Sequence, residues 1–137
     1  HTDSLGNVTR AQAGQIQHMW AGSSIWHTEA CVGNTPARYL QIWFTPNRNV
    51  NSAPRYALHD KSPEFDRINI TLNSDLIVGA GVLQTAYVAA NSYLYIVSGS
   101  CRIGDTVLTE GDGAEITDTV EIIPVDRPHI LLFEQPG

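Results

Sequence analysis

The feature that most constrains this chain is the recurrence of short β-type runs between turn residues, with almost no helical periodicity. Glycine, asparagine, aspartate and proline separate the runs at short intervals, and this spacing is typical of a sandwich, a jelly roll or a barrel. We therefore expect an all-β protein. The predicted strands are Val8–Ala11, Ile16–Ala21, Ile25–Ala30, Tyr39–Thr45, Arg67–Asn73, Asp75–Val82, Gln84–Val88, Tyr93–Ser98, Ser100–Ile103, Thr106–Leu108, Gly113–Ile116, Val120–Pro124 and His129–Glu134.

Size and composition favour one domain. The chain has 137 residues, of which 42% are hydrophobic and 16% are charged. A domain of this length buries enough surface to fold without a disulfide or a structural metal. The low charged fraction suits a compact sheet or a protein that buries further surface in an oligomer.

The charge pattern argues against two classes of partner. The net charge is −6, and the single lysine, Lys61, stands among scattered arginines. Nucleic acids and anionic membranes attract clustered cations, so we expect neither as a partner. No run approaches the roughly 18 apolar residues of a spanning helix. No secretory signal pattern is present, and we expect a cytoplasmic protein.

One segment interrupts the strand pattern. Residues Pro46 to Asp66 are rich in Asn, Pro, Arg and Ser, and the segment is longer than a hairpin loop. We interpret it as a crossing between two parts of the sheet, with a short helical turn over Ser62–Asp66. The two cysteines, Cys31 and Cys101, form no CxxC pair, which favours reduced thiols over a disulfide.

Several stretches resemble the pirin family. Residues 17–29 read Gln-His-Met-Trp-Ala-Gly-Ser-Ser-Ile-Trp-His-Thr-Glu, similar to the pirin segment that ends in a His-Ser-Glu core. Residues 1–7 resemble the preceding His-x-Asp-Ser-x-Gly-Asn stretch, and residues 40–43 with Pro46 resemble the strand that follows. The C-terminal barrel of the family is resembled by Val97–Ser100, Gly104, Glu110–Ala114, Ile116 and Leu131–Glu134.

This resemblance implies a cupin-type double-stranded β-helix, or jelly-roll barrel. Pirin-like proteins are longer bicupins, so the chain is identified as a truncated member forming one cupin-like unit over residues 1–137. Within it, residues 1–46 resemble the second half of an N-terminal barrel, 47–66 are the crossing segment, and 67–137 resemble a C-terminal barrel. The first barrel is not expected to close from these residues alone.

The resemblance also implies a metal site. The family's ligands are an earlier His-x-His pair together with the His and Glu of the core, and only the latter are carried over, as His27 and Glu29. On a strand, residues i and i+2 share a face, so this imidazole and carboxylate would lie side by side. They supply half of what Fe(II), Ni(II) or Zn(II) needs. A buried hydrogen-bonded pair without metal is the competing interpretation.

A third ligand would have to come from elsewhere. The candidates are His1, His18, His59 and His129, and only His18 has a spacing that suggests a neighbour of His27 across a hairpin. Cys31 follows the core by two residues, where a thiolate ligand competes with a buried, inert thiol. Trp20, Trp26, Trp43 and Met19 suit a pocket for a small aromatic ligand, plain core or a subunit interface.

Two functional hypotheses follow. The first is a non-catalytic binding or interaction module with a vestigial metal site and no catalytic residues. An incomplete barrel leaves an open edge that must be covered, so this hypothesis predicts a homodimer with exchanged strands. The alternative is a metal-dependent dioxygenase of the quercetinase type with His27 and Glu29 as ligands.

Overall fold

The computed structural model describes residues 1–44, 52–60, 64–69 and 77–135, and all regular structure in these ranges is β-strand. The all-β prediction is confirmed. The chain divides into two compact units, residues 1–59 and residues 60–137. Within the described ranges, no helix has the length and apolar character needed to cross a membrane.

The first unit contains two small antiparallel ribbons. Strand β1 pairs with β3, and β2 pairs with β4 along its whole length, from Ile16 opposite His59 to Trp20 opposite Arg55. The four strands are β1 (Thr2–Asp3), β2 (Ile16–Trp20), β3 (His27–Thr28) and β4 (Arg55–His59).

The second unit holds one seven-stranded antiparallel sheet. Its main order is β10-β8-β11-β6-β5, with β7 pairing with β11 and β9 pairing with β8. The strands are β5 (Asp66–Asn69), β6 (Ile77–Val82), β7 (Ala86–Val88), β8 (Ser92–Ile103), β9 (Thr106–Thr109), β10 (Gly113–Ile116) and β11 (Val120–Glu134).

Strands β8 and β11 organise this sheet. The sequence predicts a break at Gly99 and another between Pro124 and His129, but both strands run on through these points. The register between them shifts at this place, which marks a bulge. Gly99 has a φ of +76°, and a Cβ there would strike the carbonyl oxygen of Asp126, so only glycine allows the close approach.

The hydrophobic core lies in the second unit. Leu94, Ile96, Ile122, Ile130 and Leu132 are fully buried. They belong to β8 and β11, where alternate residues point to one face. Cys101 joins this core as a free thiol whose pKa is raised by burial. In the first unit, no apolar residue of the described ranges reaches comparable burial.

Four local predictions differ from the structure. The predicted strand Val8–Ala11 is reduced to an isolated bridge between Val8 and Thr2. The predicted strand Tyr39–Thr45 has no strand pairing through Phe44, and Thr45 lies outside the described residues. The predicted crossing segment contains strand β4, because Arg55–His59 pairs with β2. Of the predicted helical turn over Ser62–Asp66, residues 62–63 lie outside the described residues and Asp66 begins β5.

Candidate functional site

Two matching tripeptides face each other in the first unit. Residues 1–3 read His-Thr-Asp and residues 27–29 read His-Thr-Glu. Strands β1 and β3 pair so that Asp3 lies opposite His27 and the two threonines lie opposite each other. Continuing this antiparallel register sets each histidine against the acid of the other tripeptide. Because residues i and i+2 share a face, all four ionisable side chains gather on one side of the ribbon.

The imidazole of His1 bridges two carboxylates. Its Nδ1 lies 2.7 Å from Oε1 of Glu29, and its Nε2 lies 2.9 Å from Oδ2 of Asp3. The side chains of His1 and Asp3 are 0% exposed, and that of Glu29 is 27% exposed. The direction of each hydrogen bond depends on which of the facing atoms carries a proton.

Aromatic rings stack near the His1 ring. Tyr56 is parallel to it, with ring centroids 4.3 Å apart and an interplanar angle of 10°. The His27 ring is 5.8 Å away at 29°. The Tyr56 hydroxyl donates to Oε1 of Gln17 over 2.9 Å, and the Gln17 amide donates to Oε2 of Glu29 over 3.4 Å. The hydrogen-bond network therefore reaches both oxygens of Glu29.

The main chain holds His1 in place. Its nitrogen donates to the Thr9 carbonyl over 2.9 Å, and the Thr9 amide donates back to the His1 carbonyl over 3.0 Å. The Thr9 hydroxyl also lies 2.6 Å from the hydroxyl of Tyr56. Backbone pairing and side-chain bonding therefore fix the ring from two directions.

Asp3 is organised by the turn that follows it. Its Oδ1 accepts the backbone amides of Leu5 and Asn7 at 2.9 and 3.0 Å, and Oδ2 accepts the Asn7 side-chain amide at 2.8 Å. Burial raises the pKa of Asp3. The Asn7 side chain, the two backbone amides and the charge of His27 outweigh that effect, so the pKa is below its ordinary value.

The structure brings together only some of the predicted site residues. Glu29 is bonded to His1 and not to His27, and His27 is exposed. His18 is not the cross-strand partner of His27, because β2 pairs with β4 whereas β3 pairs with β1. His129 lies on β11 in the second unit.

His18 has a different histidine as its neighbour. It stacks on His59, with centroids 6.0 Å apart. Burial, and then the charge of His59, lower the pKa of His18. The Nε2 atom of His59 is buried and has no hydrogen-bond partner among the described residues.

The donor atoms of the described residues do not form a complete metal centre. Among the described residues no group of three or more His, Cys, Asp or Glu side chains is arranged to hold a metal ion. A metal ligand must offer a free lone pair in its deprotonated form. Both nitrogens of His1 and both oxygens of Glu29 already face protein partners.

The tryptophans and Cys31 do not form a shared core. Trp26 and Trp43 are 79% and 85% exposed. Trp20 is half-buried, and its indole N–H donates to the hydroxyl of Ser52. Cys31 is an exposed free thiol, so its expected burial is wrong. The segment that carries it, residues 29–44, has no strand to bury it.

The sequence predicted no role for Asp3, Gln17 or Tyr56. It offered His1 only as one of four candidates for a third metal ligand. The available signal was the repeated His-Thr-acid tripeptide, since two such patterns on paired antiparallel strands place acids opposite histidines. Tyr56 carried no such signal, because it lies in a segment that was interpreted as a crossing.

Comparisons with known proteins point to one family. The Pirin family model matches residues 1–44. A quercetin 2,3-dioxygenase of Escherichia coli is 29% identical, over 99% of this chain and 67% of its own length. A pirin-like protein of Caulobacter vibrioides is also 29% identical, over 98% of this chain and 67% of its own length. The chain spans about two thirds of the length of the curated relatives it matches.

Solved structures agree on the fold. The bacterial pirin YhhW from Escherichia coli, crystallised in complex with nickel(II), matches with a TM-score of 0.74 and 19% identity. The match covers 99% of this chain and 67% of that one. Another YhhW crystal structure matches with a TM-score of 0.73 and 18% identity. The cupin-type fold expected from the sequence is confirmed.

Proposed function

The chain belongs to the pirin-like cupins, and on that premise we propose that it serves as a non-catalytic binding or interaction module that assembles as a homodimer. One observation carries this proposal. The first unit has no buried apolar residue in its described ranges, although it holds all three tryptophans. Apolar surface of this kind is stabilised when another surface covers it.

The surface to be covered is concentrated in one stretch of the first unit. Tyr39, Leu40, Ile42 and Trp43 are between 46% and 85% exposed. These residues have the β-branched and aromatic character of a strand but belong to none of the strands in the described part of the chain. A segment of this character can be added to a sheet by strand pairing with another chain.

A second copy of this chain is the partner that we propose. The same exposed stretch is present on both copies, so a two-fold interface would bury it twice. Exchange of this stretch between the copies would supply each first unit with a further strand. A cytoplasmic location remains the expectation from the sequence.

Within this proposal the metal site is vestigial. His27 and Glu29 correspond to two family ligands, but Glu29 is held by His1 and Gln17. The described residues supply no set of three donors. No chemical step is therefore assigned to a metal, and the side chains of the two tripeptides act as structural groups.

The mass in solution tests this proposal. We expect light scattering to give twice the chain mass of 15.0 kDa. The double variant Ile42→Ser/Trp43→Ser should shift the protein towards monomer. Tyr87→Ser is the matched control, because Tyr87 is 70% exposed but lies in the second unit. A monomeric wild-type protein, or equal effects of both changes, would contradict the proposal.

A metal-dependent dioxygenase is the second candidate. It is favoured by the Escherichia coli relative named quercetin 2,3-dioxygenase. In this case His27 and Glu29 would be ligands of Fe, Ni or Zn, completed by donors outside the described residues. Quercetin depletion with matching oxygen uptake, lost in both His27→Ala and Glu29→Gln, would establish it.

A further inference from the structure

We infer that a cleft at the end of β6 binds a small zwitterion whose ammonium and carboxylate groups stand at opposite ends of a short apolar stem. The cleft has a volume of about 480 Å³, within the range of small-molecule sites. It lies wholly in the second unit, so the inference does not depend on the dimer proposed from the first unit. The lining is formed by Glu64, Val82, Leu83, Gln84, Pro124 and Arg127.

Strand pairing places the two charged residues of the cleft on either side of β6. Val82 forms a bridge with Glu64 on one side and pairs with His129 of β11 on the other. Arg127 belongs to β11, two residues before His129. Two strand spacings, about 10 Å, therefore separate the main chains that carry the acid and the base.

Both charged residues are held by close backbone crossings over glycine. A Cβ at Gly81 would strike the carbonyl oxygen of Glu64, and a Cβ at Gly99 would strike backbone atoms of Asp126 and Arg127. Arg127 has a φ of +32°, in a region that few non-glycine residues adopt. Such residues persist where the surrounding structure fixes them, often where a ligand is clamped. The two charges are therefore positioned before a ligand binds.

The protein itself leaves these two charges without partners. Neither the Glu64 nor the Arg127 side chain forms an ion pair or a hydrogen bond with another described residue, although both line the same cleft. Both residues are exposed, so a ligand can reach them. Two opposite charges that do not pair with each other can each attract the opposite end of a zwitterion.

The apolar part of the lining explains the stem. Val82 and Leu83, at and just after the end of β6, supply apolar surface on the strand that separates the two charges. A guanidinium binds a carboxylate through two parallel N–H bonds, and a glutamate accepts hydrogen bonds from an ammonium. Because an exposed ion pair contributes little by itself, recognition requires both charges and the stem together.

Calorimetric titration with 6-aminohexanoate tests the inference. We expect saturable binding to the wild type, and binding at least about tenfold weaker for hexanoate and for hexylamine, which each lack one charge. Arg127→Gln and Glu64→Gln should each weaken the binding of 6-aminohexanoate by a similar factor. Arg102→Gln and Glu121→Gln are the matched controls, because they remove the same charges outside the cleft lining. Both should bind as the wild type does.

A wild type that shows no saturable binding, or that binds hexanoate or hexylamine as tightly as 6-aminohexanoate, would overturn the inference. Equal losses in the cleft variants and in the controls would also overturn it, since they would indicate a general charge effect. If a cleft variant does not fold, nitrogen-15 spectra of the wild type give the same decision. We expect titration to shift the backbone amides of Glu64, Val82 and Arg127, and shifts confined to the first unit would contradict the site.

Discussion

At the scale of single residues, Asp112 and His18 couple their ionisation to folding outside the facing tripeptides. Asp112 accepts the Thr109 backbone amide at 2.7 Å and the Thr109 hydroxyl at 3.0 Å. These bonds lower the pKa of Asp112 more than its slight burial raises it. Its carboxylate therefore stabilises the turn between β9 and β10 in the ionised form.

We predict that Asp112→Asn destabilises the protein at neutral pH and makes little difference in acid. A carboxylate with a lowered folded-state pKa contributes stability above its unfolded pKa, near 3.8, and loses it as the pH falls through the folded value. The urea midpoints of the wild type and the variant, compared at neutral pH and well below pH 3.8, measure this difference in stability. Asp105→Asn, in the exposed turn before β9, is the control. A midpoint difference that persists undiminished in acid would refute the prediction.

The lowered pKa of His18 also predicts that the folded state is less stable in acid. Burial and the charge of His59 lower its pKa from 6.5, so the folded state binds this proton less readily than the unfolded chain does. The unfolded chain binds the extra proton first, and stability falls as the pH drops below about 6.5. We expect His18→Gln to reduce this slope in denaturation curves between pH 7 and pH 5. An unchanged slope would show that His18 is not the cause of this pH dependence.

The sequence predicted the shared face of His27 and Glu29 but not their partners. Which residues share a face can be predicted from the sequence, because the alternation of side chains is a property of a single strand. That Glu29 meets His1 depends on the pairing of β1 with β3, in which the partners Thr2 and Thr28 are 26 positions apart in the sequence. Strand register over such a distance is set by the whole fold and not by local residue types.

At the scale of elements, the long antiparallel pair β8 and β11 carries the stability of the second unit. Their alternate side chains form the core, and the bulge near Gly99 lets both strands change partners along their length. The sequence suggested two separate strands in each place, because glycine and proline usually end a strand. A bulge accommodates both residues, since it leaves positions without ladder hydrogen bonds.

We predict that Ile130→Ala lowers the free energy of unfolding by about 2–5 kcal/mol. Ile130 is 0% exposed and packs in the core between β8 and β6, so truncation leaves a cavity. Val125→Ala is the control on the same strand, because Val125 is 57% exposed. Chemical denaturation of both variants measures the difference. Equal losses in the free energy of unfolding would show that this face of β11 does not form the core.

At the scale of the whole molecule, the two units differ in what stabilises them. The second unit has a buried apolar core, whereas the described part of the first is held by strand pairing and a polar network. Fold class followed from the sequence because turn spacing and alternation are local. The composition of the core could not be predicted from the sequence. Trp26 and Trp43 are of a residue type common in cores, but both are exposed.

Metal content tests the central proposal most directly, namely that the metal site at His27 and Glu29 is vestigial. Elemental analysis would be made on freshly purified protein and on His27→Ala, before and after incubation with Fe(II), Ni(II) and Zn(II). We predict no stoichiometric transition metal in either protein. One equivalent of metal in the wild type, lost in His27→Ala, would contradict the account and favour the oxygenase.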